Sequence, residues 1–481
     1  CMKQFFNKIL QYSAGNFFNK FLLLALLPIY TRAMAPAEYA VYTNLIIFVS
    51  IAYLVYVLGI QQSLFSYFHH KKTADYKYSL ISSVFILLTF IGMIFSSLII
   101  IFKVELAVLL TRDISQQNLF YYIAIILLFD VINGISLAIL NIMEKSKEYV
   151  SLSIVKNTVL VILVLIAKFT DNLSVKNLFF YITISAGITA IFSIFKMVKV
   201  QFNLAKKIEN KIIFSAEIIS NLLRFGLPMI PGTLAMLLLR AGDRYMLTYF
   251  SENTLYDTGI YAVGYRIGMI MIFLNSIVSL VYFPYAMRIA DNKDAKKSYR
   301  KIFNFYILLG GILGSLIILF ASEIFYIFID KAYYGAIKIV FFGVISNYLL
   351  GIFNIINLSF YVKKKAGNIA VAVIIGAILN IGLNYLLIPK FGLLGAGWAS
   401  IIAYLFTVMM NYYYAEKIHK VGYNFVYFAL GLLTLFGFAF LNLRLTQNMF
   451  LLKLAATLIF MITIILLKKN EIRRMFNGIQ N

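Results

Sequence analysis

Charged side chains inside an apolar stretch are the residues of this sequence best suited to do chemistry. Arg240, Asp243 and Arg244 lie between the apolar runs that begin at Leu234 and at Tyr245. A charge near the centre of a membrane helix costs about 2.5 to 3.5 kcal/mol, so one that is kept normally faces water, a partner or a ligand. The spacing of these three residues predicts one helix face and an ion pair between Asp243 and Arg240. The pattern predicts a polar cavity inside a membrane protein.

Further basic residues in apolar segments extend the same prediction. The full set is Lys20, Lys156, Arg224, Arg240, Arg244, Arg266 and Lys338. At a rise of about 1.5 Å per residue, Arg266 is predicted at nearly the depth of Arg240. Arginine offers paired donors to phosphate oxygens, so these residues predict a surface that binds phosphate or carboxylate. For four of them, snorkelling to the membrane surface explains the charge equally well, namely Lys20, Lys156, Arg224 and Lys338.

Asp130 is the second acid predicted at depth, and Asn133 follows it by about one helical turn. This pair fits two interpretations, a polar contact between helices and a relay site for a cation or a proton. The two stay open on the sequence alone.

A break in helix regularity is predicted just before the charged stretch. Pro228 and Pro231, flanked by Gly226 and Gly232, remove backbone hydrogen bonds inside an apolar segment. The pattern predicts a kink that is static or that acts as a hinge.

The composition bounds the class of protein. The chain has 481 residues, of which 62% are hydrophobic, and a mean hydropathy of +0.88, which is too apolar for a fold surrounded by water. The net charge of +24 lies in short loops between apolar segments, which predicts membrane topology and excludes a nucleic-acid partner. The chain has a single cysteine, and His69 and His70, which follow one another, have no acidic residue or cysteine beside them. We therefore expect no metal site and no cofactor.

Apolar windows of about 20 residues predict an all-α polytopic membrane protein with about 14 transmembrane helices. Lys and Arg are about three times as frequent in alternate loops, which places both termini in the cytoplasm. No outer loop is long enough for a folded catalytic domain, so a membrane glycan polymerase or ligase is disfavoured. The predicted spans are 11–33, 39–67, 79–102, 118–143, 149–168, 178–198, 220–250, 258–287, 302–322, 335–362, 369–389, 396–416, 425–442 and 449–467.

Short words recur along the chain at one offset. Tyr39-Ala-Val and Tyr261-Ala-Val lie 222 residues apart, and two weaker matches share that offset. Six spans per unit is an even number, so the repeat predicts two pseudo-symmetric bundles in the same orientation, with a central path between them. The predicted units are a six-helix bundle at 1–198, a cytoplasmic linker at 199–217, a second bundle at 218–416, and two added helices with a tail at 417–481.

Three stretches carry a resemblance to a known family. They begin Leu27-Pro-Ile-Tyr-Thr-Arg-Ala, Leu223-Arg-Phe-Gly-Leu-Pro and Leu379-Asn-Ile-Gly-Leu-Asn-Tyr. The chain resembles the Wzx-like polysaccharide and O-antigen flippases of the multidrug/oligosaccharidyl-lipid/polysaccharide (MOP) exporter superfamily over nearly its whole length. Ala40 stands where the family usually has glycine.

The resemblance implies a transporter, not an enzyme, in the bacterial cytoplasmic (inner) membrane. It implies alternating access and movement of an undecaprenyl-diphosphate-linked oligosaccharide, an O-antigen or capsule repeat unit for lipopolysaccharide or capsule, to the outer leaflet. The arginines would receive the diphosphate, with Asp243 orienting them. Coupling to H⁺ or Na⁺ and partnership with a polysaccharide polymerase stay open. The alternatives are a lipid II flippase and an ion-coupled drug or small-molecule exporter of the same superfamily.

Overall fold

The computed structural model describes residues 15, 17–68, 73–208, 212–363, 365, 367–444, 452–455 and 457. These residues form helices and connecting turns, and no strand occurs among them. The α-helices are α1 (Leu27–Ala33), α2 (Pro36–Val57), α3 (Ile60–Tyr67), α4 (Ala74–Ile101), α5 (Lys103–Thr111), α6 (Leu119–Ile142), α7 (Ser146–Phe169), α8 (Val175–Ala205), α9 (Ala216–Gly226), α10 (Ile230–Phe250), α11 (Thr254–Gly268), α12 (Ile272–Ile277), α13 (Phe283–Arg288), α14 (Ala295–Leu319), α15 (Ala321–Phe328), α16 (Ile337–Ile356), α17 (Leu358–Val362), α18 (Gly367–Ile418) and α19 (Phe425–Arg444).

Within the described part of the chain, 11 helical stretches are long and apolar enough to cross a membrane. This confirms the all-α polytopic fold. One of them, α18, has 52 residues and would be about 78 Å long if straight, against about 30 Å for the bilayer core. It bends back at Gly392, whose φ is 52°, and a Cβ on Gly395 would lie 2.3 Å from the carbonyl oxygen of Leu387. The element is therefore a helical hairpin that supplies two of the predicted spans, 369–389 and 396–416.

The two ends of the chain are described only in part. Residues 17–25 are helical and lead into α1, which together cover most of the predicted span 11–33. The predicted span 449–467 lies largely outside the described residues, as do His69 and His70, so the count of fourteen stays a prediction. Lys453 is fully buried and pairs with Glu323 at 2.9 Å, which fastens the C-terminal addition to the start of α15.

The order of helix lengths repeats along the chain. The long α4 is followed by the short α5 and a 3₁₀ turn, and the long α14 is followed by the short α15 and another 3₁₀ turn. The break at Leu58, between α2 and α3, has its counterpart in the π-helical segment Val278–Tyr282. The duplication and the bounds of the four predicted units remain predictions. The helix α8 continues to Ala205, so it includes the first residues of the predicted linker.

We call the contact surface between the helices before residue 199 and those after residue 217 the seam. Near its predicted outer end, a Cβ on Gly259 would lie 1.9 Å from the carbonyl oxygen of Pro36, so glycine lets α11 press directly on α2. Asn44 of α2 donates to Thr248 at 2.9 Å, and Tyr333 donates to the carbonyl of Met34 at 2.8 Å. The two halves are thus closely packed here.

At the predicted inner end, the seam closes on two helix breaks. Leu58 and Gly59 both have positive φ, at 50° and 69°, which ends α2 and starts α3. A Cβ on Gly59 would lie 2.2 Å from the carbonyl oxygen of Gly226, where α9 passes into the 3₁₀ turn Leu227–Met229. A side chain at either glycine would push the two backbones apart.

Candidate functional site

Asp243 of α10 is the most deeply placed acid of the site and is 1% exposed. Its carboxylate accepts hydrogen bonds from Tyr261 at 2.8 Å and from Asn384 at 2.9 Å, and a further one from Ser400. These donors come from α11 and from both arms of the α18 hairpin. All three are neutral, so dipoles hold this carboxylate, and no cation among the described residues pairs with it within 4 Å.

The predicted ion pair between Arg240 and Asp243 is wrong. Asp243 points toward α11 and α18, as its bonds to Tyr261 and Asn384 require, whereas the Arg240 side chain is exposed. Residues three apart on a helix differ by about 60° in direction, which is enough to place one in the bundle interior and the other at its surface.

Arg244 is separated from the carboxylate by two tyrosines. Its guanidinium lies 5.3 Å from the ring centre of Tyr265, and Tyr265 stacks on Tyr261 with centroids 5.6 Å apart. Tyr261 in turn donates to Asp243. A cation over a ring face is a favourable arrangement, so the 8% exposed Arg244 keeps its charge without an acidic partner.

Arg266 of α11 reaches across the seam to the first half of the chain. It donates to the hydroxyl of Tyr39 at 3.0 Å and to the carbonyl oxygen of Leu23 at 3.3 Å. Tyr30 and Tyr42 lie against the same guanidinium. The partners are neutral, so this half-buried arginine also retains an uncompensated charge.

Lys20 and Arg240 lie close enough for their positive charges to repel each other. Lys20 also donates to Ser276 of α12, which connects the first half of the chain to the second. Lys20 and Leu23 are about one turn apart on the helical stretch 17–25, which we call the first helix. Because Lys20 lies near Arg240 and Leu23 accepts from Arg266, this helix places both arginines in one part of the seam. We call Lys20, Arg240, Arg244 and Arg266 the cationic cluster.

The other predicted cations do not join this cluster. Lys156 forms an ion pair with Asp130, so neither charge is left over. Arg224 is exposed on α9, more than four helical turns before Arg240. Lys338 is exposed in the first turn of α16.

Asn133 makes a contact between helices. It donates to the carbonyl of Ala186 at 3.2 Å and accepts from Ser193 at 2.8 Å, both on α8. Of the two interpretations of Asp130 and Asn133, the geometry favours the polar contact, because Asp130 is paired with Lys156 and Asn133 both donates to and accepts from α8.

The predicted kink is a short turn of different helix type. The 3₁₀ turn Leu227–Met229 contains Pro228, and α10 resumes at Ile230 with Pro231 in its first turn. A Cβ on Gly232 would lie 3.0 Å from the Cβ of Ala370, so the resumed helix packs closely on α18. Whether this break moves stays a prediction.

Sequence reasoning missed the neutral donors that surround Asp243. Asn380 accepts from Asn384 at 3.0 Å, and both are buried on the first arm of α18. A signal was present, since two asparagines one turn apart in an apolar helix are costly unless they find partners. Ser400 carried no such signal, because a lone serine in a membrane helix usually bonds its own backbone.

Comparisons with known proteins agree with this fold. The sequence model of the family described as polysaccharide biosynthesis protein matches residues 5–290. An uncharacterized membrane protein of Methanocaldococcus jannaschii is 30% identical over 225 residues, which is 44% of this chain and 42% of that protein. The match therefore spans less than half the length of this relative.

Two solved structures are similar over most of the chain. The lipid II flippase MurJ in an inward closed conformation has a TM-score of 0.74 at 17% identity, over 96% of this chain and 99% of that one. An inward-facing multidrug resistance MATE family transporter of the MOP superfamily has a TM-score of 0.67 at 16% identity, over 84% and 95%. At these identities the similarity concerns the fold.

The fold is that of an all-α polytopic membrane protein, similar in architecture to these two solved transporters. The family match covers more than half of the chain, so this protein belongs to the polysaccharide biosynthesis protein family. The resemblance drawn from the three sequence stretches is confirmed.

Proposed function

We propose that this protein is a flippase for an undecaprenyl-diphosphate-linked oligosaccharide, an O-antigen or capsule repeat unit, which it moves from the cytoplasmic to the outer leaflet of the bacterial inner membrane. The observation that carries the proposal is the cationic cluster at the seam. Four positive charges meet there, and none of them has an acidic partner within 4 Å among the described residues. A diphosphate would supply the missing negative charge.

The position of the cluster supports alternating access. Its members come from the first helix and from α10 and α11, so an anion between them would touch both halves at once. In this mechanism the contacts at the two ends of the seam open in turn. Tyr333 and Met34 form the contact at one end, and Gly59 and Gly226 form the contact at the other. Both termini would be cytoplasmic, and a polysaccharide polymerase would receive the product.

The basic excess also separates the proposal from its nearest rivals. An exporter of cationic drugs is expected to line its path with acids, whereas the four members of the cationic cluster are positive. A lipid II flippase would use the same charge logic, since lipid II also carries a diphosphate, so the distinction between them lies in the sugars and belongs to the experiment.

Neutralising the cluster tests the proposal. In a strain that lacks the native gene, R240A and R266A should lower surface glycan at least about tenfold, because each removes one anion contact worth about 1.5 to 3 kcal/mol. Arg224→Ala is the matched control, since Arg224 is exposed and outside the cluster. Arg266→Lys, which keeps the charge, guards against a folding defect. Wild-type glycan in both alanine variants, at equal protein levels, would refute the assignment.

Asp243 is our candidate for coupling to H⁺ or Na⁺. Its carboxylate is buried without a cation, and the amide oxygen of Asn384 and the amide nitrogen of Asn380 have no partner there. Oxygens of Asp243, Asn380, Asn384 and Ser400 together suit a small hard cation, and a proton would equally neutralise the carboxylate.

The coupling is tested in liposomes with imposed ion gradients. Lipid movement by the wild-type protein should respond to a Na⁺ gradient or to a pH gradient, and Asp243→Asn should respond to neither. A D243N protein that keeps the full response would exclude this carboxylate. Asp130→Asn is the control, because Asp130 is already paired with Lys156.

A further inference from the structure

A second cavity lies in the half of the chain after residue 217, away from the arginines. It has a volume of about 310 Å³ and is lined by Val278, Ser279, Tyr282, Phe283, Asn354, Asn357 and Tyr361. Its wall includes the π-helical segment Val278–Tyr282, and such segments often occur at functional sites. No lining residue is charged, so the cavity offers nothing to hold a phosphate.

The polar side chains of this cavity have unused hydrogen-bonding capacity. Asn354 makes no side-chain hydrogen bond within the described part of the chain. Asn357 accepts from Asn411 at 2.6 Å, while its own amide nitrogen donates to no described group. An asparagine amide carries two donors and one acceptor. Ser279 donates to the carbonyl of Asn275 at 3.1 Å, which leaves the acceptor side of its hydroxyl available.

Aromatic rings form another part of the wall. Phe283 and Tyr361 meet edge to face with centroids 5.0 Å apart, and Tyr361 is 42% exposed. A ring face offers an apolar surface, and the phenol adds a donor at its rim. Neutral amides and hydroxyls beside exposed rings suit a ligand that has many hydroxyl groups on one side and C–H groups on the other.

The cavity is connected to the cationic cluster through one helix. Lys20 donates to Ser276, and Ser279 of the cavity wall follows Ser276 by about one turn, a rise of about 5.4 Å. A ligand with an anionic end at Lys20 would therefore extend a neutral end into the cavity. The lysines of the loop after α17 place this end of the bundle on the predicted cytoplasmic side.

We infer that this cavity is a subsite for the neutral sugars of the substrate, with Asn354, Asn357 and Tyr361 as specificity-determining residues. The inference rests on the proposed function, since it takes the diphosphate to lie at the cationic cluster. Charge and sugar are then recognised separately, the first by Lys20 and the arginines and the second by amides and an aromatic ring.

Binding to the purified full-length protein in lipid nanodiscs tests the inference. The probes are undecaprenyl diphosphate, which has no sugar, and the lipid-linked glycan that accumulates in a strain of the source organism lacking this gene. Wild-type protein should bind the glycan-bearing lipid at least about tenfold more tightly, the effect of more than one hydrogen bond or ring contact to the sugars. Asn354→Leu and Tyr361→Leu should each reduce that preference by about threefold to tenfold, the effect of about one lost hydrogen bond or ring contact. Both variants should bind undecaprenyl diphosphate as the wild type does.

Tyr385→Leu is the matched control, because Tyr385 is 59% exposed and meets Phe250 edge to face at 5.4 Å, outside the cavity. Equal wild-type affinity for the two probes, or a preference that survives N354L and Y361L, would overturn the sugar subsite and leave the flippase proposal standing. A bilayer lipid that fills the cavity would give this result. Wild-type protein that binds neither probe would overturn both proposals together.

Discussion

Two acids within the membrane helices, one in each half of the chain, are held in opposite ways. Asp130 of α6 is paired with Lys156 of α7, and the side chains are 19% and 28% exposed. Asp243 of α10 is 1% exposed and is held by Tyr261, Asn384 and Ser400, none of which is charged. The less accessible acid is the one without a cation.

The difference teaches where charge is available for a ligand. In the first half the charges cancel and fasten two helices together, which is a structural use. In the second half the hydrogen-bond donors satisfy Asp243, and Arg240, Arg244 and Arg266 have no acidic partner within 4 Å in the part of the chain that the structure describes. Burying a carboxylate near cations without pairing it to any of them costs free energy. Such an arrangement is typical of a functional site.

The largest expected effect is on transport. Asp243→Asn should lower surface glycan in a deletion strain by about 5- to 150-fold, the range of a coupling free energy of about 1 to 3 kcal/mol. The double variant D130N/K156M removes the charges of the first half in balance and should stay within about twofold of wild type. Equal losses in the two variants would mean that both acids serve transport and would break the comparison.

Double-mutant cycles on stability should separate the two acids next. The cycle of Asp130→Asn with Lys156→Met should give a coupling energy of about 1 to 2 kcal/mol, because the side chains form a partly buried ion pair. The cycle of Asp243→Asn with Arg240→Met should give less than about 0.5 kcal/mol, since these side chains point to different surroundings. Denaturant unfolding of purified protein measures both. A large coupling in the second cycle would restore the ion pair that the sequence predicts.

Two buried serines compare a hydrogen bond to the carboxylate of Asp243 with a hydrogen bond to a neutral amide. Ser400 donates to Asp243, and Ser193 donates to the neutral amide of Asn133 at 2.8 Å; both serines are fully buried. Ser400→Ala should cost about 1.5 to 3 kcal/mol and Ser193→Ala about 0.5 to 1.5 kcal/mol, because a hydrogen bond to a charge is stronger. Thermal unfolding compares the two. Similar costs would mean that the carboxylate of Asp243 strengthens its hydrogen bond no more than a neutral amide does.

The sequence predicts the fold class well and the partners of each charge poorly. Apolar stretches of span length are local features, so the long helices follow from composition, and the broken segment at Pro228 follows from residue types. Ser400 reaches Asp243 instead because α18 folds back at Gly392, which makes a contact between residues 157 positions apart. Helical spacing alone offered Arg240 as the partner, and tertiary packing overrode it.

The same limit applies to the cationic cluster. The sequence placed seven basic residues within apolar segments, and the structure brings four of them to the seam, because three helices from different parts of the chain converge there. Lys156 was open to two interpretations until its contact with Asp130 was known. The cavity at Asn354 had no sequence signal, since it forms where Phe283 and Tyr361 meet from separate helices.

The smallest expected effect concerns a carboxylate that is held by neutral donors outside the membrane helices. Hydrogen bonds from Ser115 and Gln116 lower the pKa of Asp113 below its ordinary value of 3.8. A lowered pKa contributes stability that is present above about pH 4 and is lost as the pH falls through the lower value. Asp113→Asn should therefore shift the melting temperature by less than about 1 °C at pH 7, and the shift should diminish as the pH falls below about 4. Asp113 is open to water, whereas Asp243 is buried. A small change in melting temperature for Asp113→Asn beside a larger change for Asp243→Asn would therefore assign the difference to burial. Equal changes in melting temperature would mean that the neutral hydrogen-bond donors, and not burial, determine how much each acid contributes to stability.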